Sequence, residues 1–192
     1  MVFDIGAGDG RMRSPVEAAG GDYYGFDLAP VQTDITQWNL EIPLPTRHPR
    51  AGVALLLDVI EHCDNPLLAL HHVAEALLPG GLLLLTTPNP RWSRSRFYAL
   101  AKGTPSCFTQ SDLESNHHVY PAWPHILQHQ LGGVGLVTEE YVTLDGRTGW
   151  PRSPGTVRYP LRLLFAAAMK AVEAFDPSAC GMSYAVVARK VV

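Results

Sequence analysis

Glycines at 6, 8 and 10 of Asp4-Ile5-Gly6-Ala7-Gly8-Asp9-Gly10 let the backbone turn tightly and approach a ligand, with a helix N-terminus just beyond. Two carboxylates, Asp4 and Asp9, sit inside that loop. A pyrophosphate-binding G-x-G-x-x-G would need a third glycine at position 11, where the residue is Arg11. The acids disfavour a pyrophosphate and favour a ligand with an ammonium group or a neutral sugar. Asp27 lies 19 residues beyond Gly8, at the end of a β-rich run. A carboxylate there accepts two hydrogen bonds from a ribose diol. Asp34 follows a third short run, with Leu28 and Ile35 placed to sandwich a flat ring. The bland alternatives are a tight turn at the glycines, a cap at Asp27 and a turn aspartate at Asp34.

These side chains need strands and helices to position them. Met1–Ile5 reads as a strand, Met12–Ala19 as a helix closed by Gly20-Gly21, and Tyr23–Leu28 as a second strand. Thr33–Ile35 is the stub of a third. Val53–Ile60 and Leu82–Thr87 are apolar on both faces, as in the centre of a parallel sheet, and flank a helix over Pro66–Leu78 that ends at Pro79-Gly80-Gly81. This alternation predicts an α/β fold: a Rossmann-like mixed sheet of about seven strands, the last antiparallel, with helices on both faces. Residues 88–122 read as irregular. A helix near Pro124–Leu131, a strand near Leu136–Leu144, a proline- and glycine-rich stretch over 145–160, a helix over Leu161–Phe175 and a strand over Met182–Val191 complete the chain. The Leu161–Phe175 helix is apolar around most of its circumference, which predicts burial against the sheet or another subunit.

The chain has 192 residues, enough for one domain. With 46% hydrophobic and 17% charged residues and a mean hydropathy of +0.02, it is not a disordered chain. No apolar run reaches the roughly 18 residues of a membrane span. A net charge of -3 argues against coating nucleic acid. Cys63, Cys107 and Cys180 are odd in number and form no metal or disulfide pattern. With no leader segment at the start, the expected location is cytoplasmic.

Adenosine without phosphate, joined to an amino-acid tail, describes S-adenosylmethionine. The set VFDIGAGDG, GFDLAP, DIT, LLLDVIEH and LLPGGLLLLTTPNP resembles the class I S-adenosylmethionine-dependent methyltransferases, in the group that includes the ubiquinone and menaquinone enzymes. The likeness runs from Val2 to Pro90 and is loose afterwards. It implies that Asp4, Gly6, Ala7, Gly8 and Gly10 line the methionine part of the cofactor. Asp27 would take the ribose, Asp34 with Ile35 the adenine, with Leu28 among the cofactor-binding residues beside the ring, and Asp58 would face donor and acceptor. It divides one domain into a donor-binding half (1–87), an irregular acceptor or lid insert (88–125) and a C-terminal half (126–192). The cover helices that relatives carry before the first strand are not seen.

Methyl transfer to a hydroxyl needs alignment and a base, and histidine is the usual base near neutral pH. His62, in Asp58-Val59-Ile60-Glu61-His62, and His117 and His118 in the insert are the candidates. The D-x-x-E-H segment is also similar to the E-x-x-E-H of magnesium-assisted O-methyltransferases. Asp58, Glu61, His62 and His117 or His118 would then hold a divalent ion, although relatives that need no metal carry the same segment. His71 and His72 read as helix-surface residues. Arg91, Arg94, Arg96 and Lys102, with Arg147, Arg152, Arg158 and Arg162, predict a basic rim suited to a small or medium anionic acceptor, such as a phosphorylated lipid carrier, a sugar nucleotide or a carboxylate. The expectation is methyl transfer, at oxygen by preference, with a homodimer through the last helix. The rivals are a non-catalytic partner subunit and a nucleotide-dependent oxidoreductase.

Overall fold

The structure, a computed structural model, describes residues 1–44, 48–152 and 157–191. Seven strands form one sheet: β1 (Val2–Ile5), β2 (Tyr23–Asp27), β3 (Thr36–Gln37), β4 (Ala51–Leu57), β5 (Leu77–Pro88), β6 (Leu136–Thr143) and β7 (Ser183–Lys190). Their order is β3-β2-β1-β4-β5-β7-β6, parallel from β3 to β5, with β7 antiparallel to both neighbours. The mixed sheet with an antiparallel last strand is the one expected. Six helices surround it: α1 (Arg13–Ala18), α2 (Pro66–Ala76), α3 (Ser93–Lys102), α4 (Gln110–Asn116), α5 (Pro124–Gly133) and α6 (Tyr159–Phe175). The sheet grows one way through α1 and the other way through α2. Right-handed crossovers therefore put these two helices on opposite faces.

The central strands carry the core. Phe3, Leu56, Leu83 and Leu85 are fully buried, and Phe3, Phe26 and Trp38 meet edge-on with ring centroids 4.8 and 5.5 Å apart. Asn65 accepts a hydrogen bond from Leu68 N at 3.1 Å and Pro66 follows it, which starts α2. Lys190 Nζ donates to the carbonyls of Ala74 and Leu77 and closes its other end.

The structure corrects several sequence boundaries. The third strand is Thr36–Gln37, so Asp34 precedes it instead of following. Pro79-Gly80-Gly81 lies inside β5, as an irregularity between the Ala51–Leu77 and Val53–Leu82 pairs. The stretch read as irregular holds α3, stopped by Gly103 in the left-handed region, and α4, started by a capping box between Thr109 and Asp112. The stretch 145–160 includes residues 153–156, which lie outside the described residues. In α6 only Ala166, Met169 and Glu173 are buried, while Leu161, Leu164 and Phe175 face outward. Burial of this helix against the sheet is therefore not what the chain does: it packs on the turn Pro177–Ala179 and on α3, where the Phe97 and Phe165 rings lie 5.2 Å apart.

Buried Glu173 ties this region together. Its carboxylate accepts from Ser93 Oγ of α3 at 2.8 Å and from Thr148 N at 2.9 Å, and Thr148 Oγ1 also donates to it. Glu173→Ala would leave the Ser93 hydroxyl and the Thr148 amide unpartnered, a loss of about 2 kcal/mol. Urea unfolding is expected to show that loss, with faster proteolysis within the loop before α6.

Candidate functional site

The chain reverses its direction of sheet growth between β1 and β4, and clefts in such sheets open at the carboxyl ends there. Past β1 the backbone turns through Gly6, Gly8 and Gly10, all at positive φ (79°, 55° and 78°). A Cβ on Gly6 would stand 2.2 Å from Val59 Cγ2, so the close approach of the β1 and β4 ends requires glycine. At Gly8 a Cβ would meet nothing within 4 Å, so the turn leaves open space there. Gly6 N and Ala7 N both donate to Phe26 O, at 2.8 and 2.9 Å, and lock the turn onto the end of β2.

A cavity of about 400 Å³ opens at this point. Of the sequence candidates it brings together Gly6, Asp27, Leu28, Asp58, His62 and His117. Asp27 Oδ2 accepts from Gly8 N at 2.8 Å and Oδ1 from Ala29 N at 2.9 Å. Each oxygen keeps a lone pair for another donor. Asp58 adopts φ 54°, and Thr86 Oγ1 donates to its Oδ1 at 3.1 Å.

Other candidates stand back from the cavity. Asp4 is buried and accepts from Tyr23 Oη at 2.8 Å; burial raises its pKa, with the Tyr23 bond opposing. Asp34 is exposed and ion-paired with Arg13, whose guanidinium lies 4.4 Å from the Tyr23 ring centroid. Ile35 is buried behind Gly10 and Gly25. Past β3 the cavity is lined by Trp38, Asn39 and Leu40, and neither Asp34 nor Ile35 is among its lining residues. Sequence reasoning missed these three because it placed the strand too early. It also missed His72, which is buried, with Nδ1 2.7 Å from Leu40 O, so it is no surface residue. Cys63 lines the cavity too, where burial pushes its thiol up to about 12 and disfavours the thiolate.

The histidines converge. The rings of His62 and His118 meet edge-on at 4.8 Å, and His118 Nδ1 lies 2.7 Å from Cys107 O. Burial first, then the neighbouring His118, lowers the pKa of His62 and keeps it neutral near pH 7. His117 ends α4 in the left-handed region and points Nε2 towards Asp64, 3.4 Å away. Glu61 holds the segment: its backbone carbonyl accepts from Val119 N and Tyr120 N, while its buried carboxylate takes the Thr87 hydroxyl at 3.0 Å. Ligand atoms of Glu61, His62 and His118 lie within 4.8 Å of one another; Asp58 is not in that group. A hydrogen bond on one ring nitrogen is what orients a metal-binding histidine, so His118 fits such a role. Of the expected basic rim, Arg96 is committed to Asp176.

A family model described as a methyltransferase domain matches residues 1–140. The chain belongs to that family. Among curated relatives, the ubiquinone biosynthesis O-methyltransferase of Cereibacter sphaeroides is 31% identical over 101 residues, which make up 46% of this chain and 41% of the relative. The match thus spans less than half of that relative. Among solved structures, the S-adenosylmethionine-dependent methyltransferase of Archaeoglobus fulgidus aligns with a TM-score of 0.64 at 15% identity, over 98% of this chain and 85% of that one. The magnesium protoporphyrin IX methyltransferase of Synechocystis, with bound S-adenosylhomocysteine, aligns at 0.58 and 15% identity, over 99% and 74%. At such identities the likeness concerns the fold, and the sheet order of this methyltransferase domain agrees with it.

Burial, outweighing the Thr87 bond, lifts Glu61 from 4.5 to about 7. The folded methyltransferase domain therefore binds more protons than the unfolded chain between these values. Stability falls as pH rises through this window, and the penalty is complete above about 7. Glu61→Gln, which keeps an acceptor for Thr87, is expected to melt above the parent at pH 8 in chelating buffer. The two melting curves should converge towards pH 4.5. A gap independent of pH would refute the desolvation account.

Proposed function

We propose that this chain binds S-adenosylmethionine in the cleft and directs its methyl group to an oxygen of a small, anionic acceptor. The observation that carries the reading is Asp27: a carboxylate at the end of β2, lining a cavity at the switch point and tied to the glycine turn. Its spare lone pairs suit a ribose diol, and the open side of Gly8 leaves room for the amino-acid part. Leu28, Trp38 and Leu40 supply apolar walls for a purine, and Asn39 takes the polar position expected of Asp34. Bound there, the cofactor supplies an electron-poor methyl on a sulfonium. Asp4, Ala7 and Gly10 shape the turn from behind, and Asp58 faces the reacting centre. Neutral His62 accepts the proton that the acceptor hydroxyl loses as its oxygen gains the methyl, with His117 at the rim and His118 orienting the ring. Residues 1–87 form the donor half, 88–125 the acceptor side and 126–192 the rest of one domain.

The cluster of Glu61, His62 and His118 favours a second reading, in which a divalent ion held there draws the acceptor oxygen into place. Three free cysteines suit a reducing compartment, which supports a cytoplasmic location. No helix among the described residues is long and apolar enough to cross a membrane. The outward face of α6, with Leu161, Leu164 and Phe175, supports a homodimer. Light scattering should then give twice the chain mass, and Leu164→Glu should return it to the monomer.

Calorimetric titration of S-adenosylhomocysteine tests the donor site. Micromolar binding is expected, weakened about 30-fold in Asp27→Ala by the loss of about 2 kcal/mol of charged hydrogen bonding. No binding to the parent chain would overturn methyl transfer. Magnesium titrated into the parent and into His118→Ala separates the two readings: heat only in the parent supports the ion, and none in either leaves His62 as base.

A further inference from the structure

A second cavity, of about 600 Å³, lies outside the donor cleft. Its walls come from three elements. Trp92 and Arg94 stand at the start of α3, Trp150 and Arg152 on the loop after β6, and Arg162 and Phe165 on α6. No acidic residue lines it, and none of the three guanidinium groups has an ion-pair partner among the described residues. Arg94 instead rests over the rings of Trp92 and Tyr98, at 5.7 and 5.4 Å, while Lys170 Nζ lies 5.1 Å from the centre of the Trp150 ring.

Solvated arginines on separate loops would need no common support. These have one: buried Glu173 accepts hydrogen bonds from Ser93 beneath Trp92 and from Thr148 beneath Trp150, so both walls are pinned to α6. Unneutralised guanidinium groups facing one space repel each other and are relieved by an oxyanion that takes several N–H donors at once. Two indole faces beside them offer stacking area to a flat apolar body. β5 and β6 run in the same direction, both antiparallel to β7, so the segments after them open on the same edge as the donor cleft. A smaller hollow shares Trp92 and Arg94 and reaches Cys107, whose carbonyl meets His118, which in turn packs on His62.

We propose that this cavity is a second binding site that takes the remote end of the acceptor, an oxyanion (phosphate or carboxylate) joined to a flat apolar body. Naming the ligand as the acceptor rests on the methyl-transfer reading; the site itself does not. Trp38 lines the donor cleft, whereas Trp92 and Trp150 line this cavity, so the indole N–H signals of the full chain report on the two sites separately. They are assigned by single Trp→Phe variants. Titrated with 1-naphthyl phosphate and, separately, with 1-naphthoate, the Trp92 and Trp150 signals should move saturably while Trp38 stays. Arg152→Gln and Arg162→Gln should each weaken binding at least tenfold, and 1-naphthol should bind at least tenfold more weakly than either anion. The tighter anion assigns the head group. Equal binding of 1-naphthol, indifference to both arginine variants, or movement confined to Trp38 would overturn the proposal. S-adenosylhomocysteine should move Trp38 alone. Its failure to do so, with the Trp92 and Trp150 responses intact, would remove the donor reading and leave the anion site standing.

Discussion

The approach of two strand ends at Gly6 and Val59 governs the rest of the site. β1 and β4 are neighbours in the sheet, yet the segments leaving them diverge, one towards α1 and the other towards α2. With no room for a Cβ at Gly6, the β1 turn can lie directly against Val59 and then fold back over β2. Phe26 O holds two successive amides of that turn, and Asp27 holds a third through Gly8. Three consecutive strands are thus stitched at their carboxyl ends by one short loop. The cleft is the space this loop leaves, which is why its volume and its polar lining are set together.

Around this loop the carboxylates do different things because their surroundings differ. Asp27 and Asp58 remain at the cavity wall, where charge is solvated or meets a ligand. Asp4 is buried one layer down, where its bond to Tyr23 offsets part of the desolvation. Asp34 is drawn outward by Arg13, which stacks on the same Tyr23. One tyrosine therefore joins a buried acid and an exposed ion pair into a brace behind the glycine turn. Acids of one type, read together as ligands, separate into two that face the cavity and two that shape it.

The N-terminal half of the sheet was legible because its signals are local. A strand followed by a dense glycine turn, an acid at the next strand end and apolar runs on either side of a capped helix each follow from chain stereochemistry. The sheet with its antiparallel last strand came through on that basis, and Asp27 and Asp58 do lie at the wall of the cavity. Asp34 lies outside the cavity lining, since a two-residue strand carries almost no pattern and its start was read three residues early. His72 was hidden for another reason: a histidine on an amphipathic helix looks exposed until the partner carbonyl of Leu40, distant in sequence, is known. Residues 88–122 gave no periodicity, yet α4 is marked by Thr109 and Asp112, a capping signal that could have been read. The solvent-facing α6 shows that apolar composition alone does not say what covers a helix.

The segments after β5 and β6 are built on a different principle from the glycine turn. Where the glycine turn relies on backbone shape, the segments after β5 and β6 rely on buried polar anchors between residues far apart in sequence. Asn89 donates to the carbonyls of Ser178, Cys180 and Gly181, Arg96 pairs with Asp176, and Glu173 holds Ser93 and Thr148. Each anchor fixes a loop by a few directed bonds and leaves the adjoining exposed side chains unconstrained by packing. Arg94, Trp150 and Arg152 can therefore change without disturbing the sheet, whereas Gly6 cannot. That division follows from the physics of the two supports: a shape-determined pocket suits a ligand that does not vary, and a loop-borne pocket on buried anchors suits one that does.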